Sequence, residues 1–361
     1  MTLHHRRTAL LAAALILPLS LSACGGGTTR SSEAESTSEA TAESTASANP
    51  DAEIPQGLKI AFLPKQLNNP YTDIEVAGGK EGVDELGGEY TLVGPNDASA
   101  SSQVSYINTL IQQQQDVIGI AANDPDAVCP SLNQARDAGI SVVTFDSDAN
   151  PDCRDVFINQ ATTQGIGETL AQQALRAVGD DGGKVAVLSA TANATNQNSW
   201  ITVMQEELGK PEYASVELVA TVYGDDDDQK SFTETQGLLQ RYPDLEGIVS
   251  PTTVGIAAAA RYISASDYKG RVAVTGLGTP NQMRAFVKDG TVAEFALWDP
   301  ADIGYLAAWA GGALKAGRIT GAEGETFEAG RLGDYTIGAD GEIVLGPPTT
   351  FNAENIDDFN F

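Results

Sequence analysis

The stretch VIGIAANDPDAVCPSLNQARDAGISVVTFDSD, residues 117–148, decides the fold class. Two short apolar runs, 117–121 and 141–145, flank a segment, 131–138, with helical spacing. An apolar run without polar alternation suits a strand buried on both faces, as in a parallel sheet. Parallel neighbours need a crossover, and the intervening helix supplies it. The same pattern recurs in both directions. Strands are expected at 59–63, 90–93, 185–189, 216–222, 247–250, 272–275 and 292–297, and helices at 103–114, 166–178, 200–208 and 231–241. This alternation predicts an α/β protein whose parallel sheets are covered by helices. Nine strands in about 240 residues suit two three-layer lobes joined by a hinge better than one wide sheet.

In sheets of this kind ligands bind beyond the carboxyl ends of the strands. After 59–63 come Lys65 and then Asn68-Asn69-Pro70-Tyr71; after 90–93 comes Asp97; after 141–145 comes Asp146. The loop after 185–189 reaches Asn196 and Gln197, Pro251 and Thr253 follow 247–250, and Trp298 follows 292–297. Carboxylates accept from hydroxyls, lysine and amides donate, and an indole face covers the C–H side of a sugar ring. The set therefore points to a small polyhydroxylated ligand. Taken singly, each residue has a plainer reading. Asp146 suits a loop charge or helix cap, Lys65 a surface position and Trp298 the core. Asn196 and Gln197 suit the cap and first turn of a helix beginning near Asn198. What favours binding is that all of them fall at strand ends. The four aspartates at 225–228 read as a solvated acidic loop, because neither their spacing nor the glycine position fits an EF-hand.

The 361 residues carry 21 Lys+Arg against 49 Asp+Glu, a formal charge of −28. That balance argues against nucleic acid as a partner and disfavours docking onto anionic lipid through a basic surface. At the N-terminus, Arg6 and Arg7 precede an apolar run, 8–20, and small residues lead to Cys24, as in an export signal. The run is shorter than the roughly 20 residues needed to span a bilayer. Leu21-Ser22-Ala23-Cys24 resembles the lipobox of bacterial lipoproteins. That resemblance implies a signal peptide, 1–23, and an acylated Cys24. It places the protein outside the cell, held by lipid on the outer face of the bacterial cytoplasmic membrane. Removing 1–23 takes away two arginines and no acid, moving the charge from −28 to −30, and takes both histidines, His4 and His5. Ser-His-Asp, Cys-His and His-ligated zinc chemistry are then excluded. Residues 24–56, rich in Gly, Ser, Thr, Ala and Glu with no aromatic, read as a disordered tether. Cys129 and Cys153 remain after acylation of Cys24, and two cysteines in an exported chain read as a disulfide. A thiol nucleophile or metal pair would lack a base and CxxC spacing. With no phosphate-cradling glycine motif after a strand, neither cofactor nor metal is expected.

KIAFLPK (59–65), DPDAVCP (124–130), VVTFDSD (142–148), CRDVFINQ (153–160), TNQNSW (195–200), GTPNQMRAFVKDGTVAEFALWD (278–299) and FNAENI (351–356) occur in order. In these segments the chain resembles the periplasmic binding proteins that feed rhamnose and autoinducer-2 to ABC importers, from about residue 57 to the C-terminus. The resemblance implies the type I periplasmic-binding-protein fold, with three hinge crossings and a ligand trapped between lobes. Lobe 1 would comprise 57–158 plus 300–330, and lobe 2 would comprise 159–299 plus 331–361. In the autoinducer-2 receptors the ligand is held by a lysine, an aspartate, an Asp-Gln pair and a Pro-x-Ala stretch. Lys65, Asp146, Gln197 and Pro251 match; Asn196 replaces the paired aspartate and Thr253 the alanine. Loss of a carboxylate changes which hydroxyls the site can pair, so a rhamnose-type deoxyhexose or a pentose is favoured over autoinducer-2. The implied function is a solute-binding protein, not an enzyme. It would close on a sugar by hinge motion and, as a monomer, deliver it to a membrane permease. A sensory module reporting the same ligand to a membrane receptor is the alternative.

Overall fold

In the computed structural model, which describes residues 47–361, strand β1 (Lys59–Leu63) sends Ile60 and Phe62 to one face of a sheet and Ala61 and Leu63 to the other. All four are buried, as the apolar run requires. The first lobe continues through α1 (Pro70–Glu85), β2 (Glu89–Leu92), α2 (Ala100–Gln112), β3 (Val117–Ile120), α3 (Cys129–Asp137), β4 (Ser141–Phe145) and β5 (Val156–Asn159). The second lobe holds α4 (Thr163–Val178), β6 (Gly183–Ser189), α5 (Thr195–Leu208), β7 (Val216–Tyr223), α6 (Asp228–Arg241), β8 (Leu245–Ser250), α7 (Thr253–Ser264), β9 (Ala273–Gly276), α8 (Pro280–Lys288) and β10 (Glu294–Leu297). The chain then returns through α9 (Pro300–Ala316), β11 (Thr326–Glu328), β12 (Asp334–Thr336), β13 (Glu342–Val344) and β14 (Thr349–Asn352).

The first sheet is parallel, in the order β13-β5-β4-β3-β1-β2. Helices α1 and α9 cover one face, while Ile107, Leu110 and Leu132 of α2 and α3 pack on the other. The second sheet is parallel in the order β7-β6-β8-β9, with α4 and α5 forming one helical layer and α6 and α7 another. Two lobes of three layers each result. The chain passes between them at 160–162, 298–299 and 345–348.

Several sequence expectations need correction. β13 lies in the first sheet, where Ile343 pairs with Ile158, so the second lobe does not take all of 331–361. The hairpin of β11 and β12 also sits beside α9. Only the segment from β14 onward joins the second lobe, through antiparallel pairing with β10. β10 is therefore not a rung of the parallel sheet; a single bridge, Leu277 to Ala296, links it to the end of β9. β5 had no strand of its own in the sequence reading, although its VFIN run is wholly buried. The expected tether is too long at its C-terminal end. Asn49 N donates to Gly317 O, Arg318 Nε donates to Ala52 O, and Ile54 packs on the core beside Leu86 and Gly312. The rest of that segment, Cys24 and the signal peptide lie outside the described residues.

Cys129 and Cys153 are joined by a disulfide with Cα atoms 5.4 Å apart, tying the start of α3 to the turn before β5. Among the described residues no helix is long and apolar enough to cross a membrane.

Candidate functional site

Lys65 leaves the end of β1 on a backbone that is fixed from behind. Buried Gln103 donates through Nε2 to Pro64 O (3.2 Å) and Ala121 O (2.7 Å), and its Oε1 accepts from Asn123 N. Asn123 Nδ2 in turn donates to Lys65 O at 2.8 Å. Lys65 Nζ then lies 3.2 Å from Asp146 Oδ2. Asp146 follows β4 in a left-handed conformation, φ 57°. Aspartate tolerates this region better than most residues, and its side chain is 8% exposed.

The Asn-Pro-Tyr sequence at 69–71 builds the second support. Asn69 caps α1 by accepting from Tyr71 N at 2.9 Å, and Pro70 takes the first helical position, where its missing N–H costs nothing. Tyr71 is thereby placed under Asp146. Its Oη donates to Asp146 Oδ1 (3.0 Å) and accepts from Trp298 Nε1 (2.8 Å). Burial, with Asp146 beside it, pushes the Tyr71 phenol well above its ordinary pKa, so the hydroxyl stays a donor. Trp298 follows β10 at a hinge crossing, and Asp299 caps α9 just beyond it by accepting from Ala301 N. Gln160, at another crossing, directs Nε2 toward Asp146 Oδ1 at 3.5 Å.

One turn along α1 from Tyr71, Glu75 is fully buried, and neither carboxyl oxygen has a hydrogen-bond partner. Burial and the charge of Asp146 push its pKa well above the usual carboxylate range, against a smaller opposing effect of Lys65. It is held against α9, where Gly304 lets the helix approach Glu75 O more closely than any Cβ would allow.

From the second lobe, the first turn of α5 carries Asn196 and Gln197. The helix starts at Thr195 rather than near Asn198, and its cap position, Ala194, makes no side-chain cap bond, so Asn196 is not a cap. Asn196 Oδ1 accepts from Lys65 Nζ (3.2 Å), and its Nδ2 donates to Asp146 O (3.3 Å). Gln197 Oε1 accepts from Ser189 Oγ (2.7 Å) and Ala190 N (2.9 Å), which fixes its amide at the end of β6.

These groups line one cavity between the lobes, with about 480 Å³ of space between protein atoms, the part open to solvent included. Lys65, Tyr71 and Asp146 face it from the first lobe. Asn196, Gln197, Pro251 and Thr253 face it from the second, and Trp298 from the hinge. The indole of Trp200 meets that of Trp298 edge to face, centroids 5.9 Å apart. One wall therefore offers aromatic surface and the others mixed donors and acceptors. Asp97 is the exception among the expected residues. The loop beyond β2 borders a neighbouring groove instead, and Asp97 there is exposed.

Sequence reasoning missed Gln66, Thr72, Trp200, Leu277 and Leu297, and also misplaced Asp226. Trp200 was legible in the TNQNSW segment. Asp226 was not, because it belongs to the supposed solvated run; it lines the cavity and accepts from Thr252 Oγ1. Among the described residues no group of three or more His, Cys, Asp or Glu is placed to hold a metal ion.

A sequence model described as "Periplasmic binding protein domain" matches residues 60–319. Among solved structures, a sugar ABC transporter from Actinomyces odontolyticus ATCC 17982 is 58% identical, with TM-score 0.70 over 84% of this chain and 98% of that one. An ABC transporter solute binding protein from Clostridium phytofermentas, with bound L-rhamnose, is 38% identical, with TM-score 0.81 over 84% of this chain and 98% of that one. The D-ribose/D-allose-binding protein of Pseudomonas aeruginosa is 25% identical over 253 residues, 67% of this chain and 77% of its own.

Proposed function

The chain belongs to the periplasmic binding proteins, and from that premise we propose that it captures a rhamnose-type deoxyhexose or a pentose between its lobes and delivers it to the permease of an ABC importer. It is a sugar-binding protein of the transporter class rather than an enzyme. The observation that carries the reading is the meeting of Lys65 and Asp146 with Asn196 across the cavity. Donors and acceptors from two lobes converge where a ring with several hydroxyls can bridge them. Such a ligand stabilises the closed form over the open one by its contacts to both lobes. Trp298 supplies the apolar face for the ring's C–H side. The L-rhamnose carried by the 38%-identical structure favours the deoxyhexose. Residues 1–23 would be removed on export, and an acylated Cys24 would hold the protein, as a monomer, at the outer face of the membrane.

Autoinducer-2 is the second reading, favoured by the gathering of Lys65, Asp146, Gln197 and Pro251 at one cavity. A thermal-shift panel of L-rhamnose, D-ribose, D-arabinose and autoinducer-2 separates the two. The exported chain carrying Cys24→Ser is the sample. Ligand at 100 times its Kd adds about 2.7 kcal/mol of stability. We expect the largest rise in Tm with L-rhamnose. A response to autoinducer-2 alone reverses the assignment, and no response to any of the four removes it.

A further inference from the structure

The resemblance to autoinducer-2 receptors calls for a second-lobe carboxylate where this chain has Asn196. That amide is committed to the lobe contact: Oδ1 accepts from Lys65 Nζ and from Gln197 N, and Nδ2 donates to Asp146 O. A carboxylate nevertheless reaches the cavity from the second lobe, out of the loop between β7 and α6. Of its four successive aspartates, three are engaged away from the cavity. Asp225 pairs with Lys230, Asp227 caps α6 by accepting from Lys230 N at 2.7 Å, and Asp228 pairs with Arg261 at 2.7 Å. Asp225 and Asp226 both take left-handed backbone, φ 55° and 51°, and this reversal turns Asp226 inward. Thr252 Oγ1, on the loop between Pro251 and Thr253, donates to Asp226 Oδ1 and fixes it against the cavity. Lys65 and Asp146 both lie close enough across the cleft to act on its charge.

We propose that Asp226 is a specificity-determining residue that accepts a hydrogen bond from a ring hydroxyl of the bound sugar, opposite the hydroxyl received by Asp146. The inference rests on the sugar reading above. One carboxylate from each lobe then closes on one ring, so a ligand lacking the second hydroxyl leaves a desolvated carboxylate without a donor and is rejected. Burial already raises the pKa of Asp226, with Thr252 and Lys65 opposing, as expected for a carboxylate removed from water.

Isothermal titration of the exported Cys24→Ser chain and its Asp226→Asn variant tests this, using L-rhamnose, D-ribose, D-arabinose and the monodeoxy analogues of whichever sugar binds best. The expected result is an affinity at least 30-fold weaker in Asp226→Asn. One deoxy analogue, poor for the unsubstituted protein, should bind both proteins alike. Thr252→Val, which removes only the anchoring hydroxyl, should weaken the same sugar about 5-fold and guards against misfolding of the first variant. If the unsubstituted protein binds a sugar and Asp226→Asn stays within 3-fold of it, Asp226 is not a ligand residue and the sugar reading stands. If Asp226→Asn does not fold, an unchanged Thr252→Val overturns the role equally. If none of the three sugars binds the unsubstituted protein, the sugar reading falls and this inference with it.

Discussion

Lys65 of the first lobe donates from Nζ to Asn196 Oδ1 of the second at 3.2 Å, so the two lobes share a charged hydrogen bond at the cavity itself. The same ammonium lies 3.2 Å from Asp146 Oδ2 within its own lobe. Two groups, one from each lobe, thus depend on one side chain. Lys65→Met keeps the stem and removes the charge. Hydrogen bonds to charged groups contribute about 1.5–3 kcal/mol, so sugar affinity should fall about 10- to 150-fold by titration calorimetry. An unchanged affinity would exclude Lys65 from the ligand set.

Tyr71 is the middle of a relay from Trp298 to Asp146, with links of 2.8 and 3.0 Å. Tyr71→Phe leaves the buried Trp298 Nε1–H without its acceptor and should cost about 1–3 kcal/mol in denaturant unfolding. Trp298→Phe removes the other end of the same link. The double variant should therefore lose less than the sum of the singles, because residues sharing one network are not additive. Additive losses would mean that the relay contributes only packing.

Glu75 carries a pH prediction. Its folded-state pKa lies well above the ordinary 4.5. The folded chain therefore keeps a proton that the unfolded chain releases, and stability attributable to this group falls as pH rises from about 4.5 toward the folded value. The slope is about 1.4 kcal/mol per pH unit inside that window. Glu75→Gln, neutral at every pH, lacks that slope. Urea midpoints of the two proteins should diverge in favour of Glu75→Gln between pH 4 and pH 8; parallel curves would show that Glu75 titrates normally.

The Cys129–Cys153 bond closes a loop with a sequence separation of 24. Chain-entropy reasoning gives it about 3.5 kcal/mol against unfolding. Neither cysteine lines the cavity. The Cys129→Ser, Cys153→Ser variant should accordingly unfold at clearly lower denaturant while its sugar affinity stays within 2-fold. A large loss of affinity would link the α3 loop to the site.

Where local pattern and burial coincide, the fold was legible. The apolar runs of β1, β3, β4, β6 and β8 are buried on both faces and head the loops that carry Lys65, Asp146, Gln197 and Pro251. β13 was not legible. It is three residues long, with only Ile343 fully buried, and its place beside β5 depends on a partner 185 residues earlier (343 against 158). Asp97 was misread because all strand ends were treated as equal, whereas the loop beyond β2 borders a neighbouring groove and not the cavity.

The amino-acid sequence by itself determined the parallel α/β architecture and the small set of polar residues at strand ends, since both follow from periodicity over a few residues. The four aspartates at 225–228 show what it could not determine. They are chemically identical neighbours, and nothing local distinguishes the one that lines the cavity from those engaged away from it. The left-handed turn at Asp225 and Asp226 and the hydroxyl of Thr252, set by the packing of β7 against β6 and of β6 against β8, select Asp226. Direction of a side chain at a loop is a property of the tertiary contacts that hold the loop, and only the folded chain supplies them.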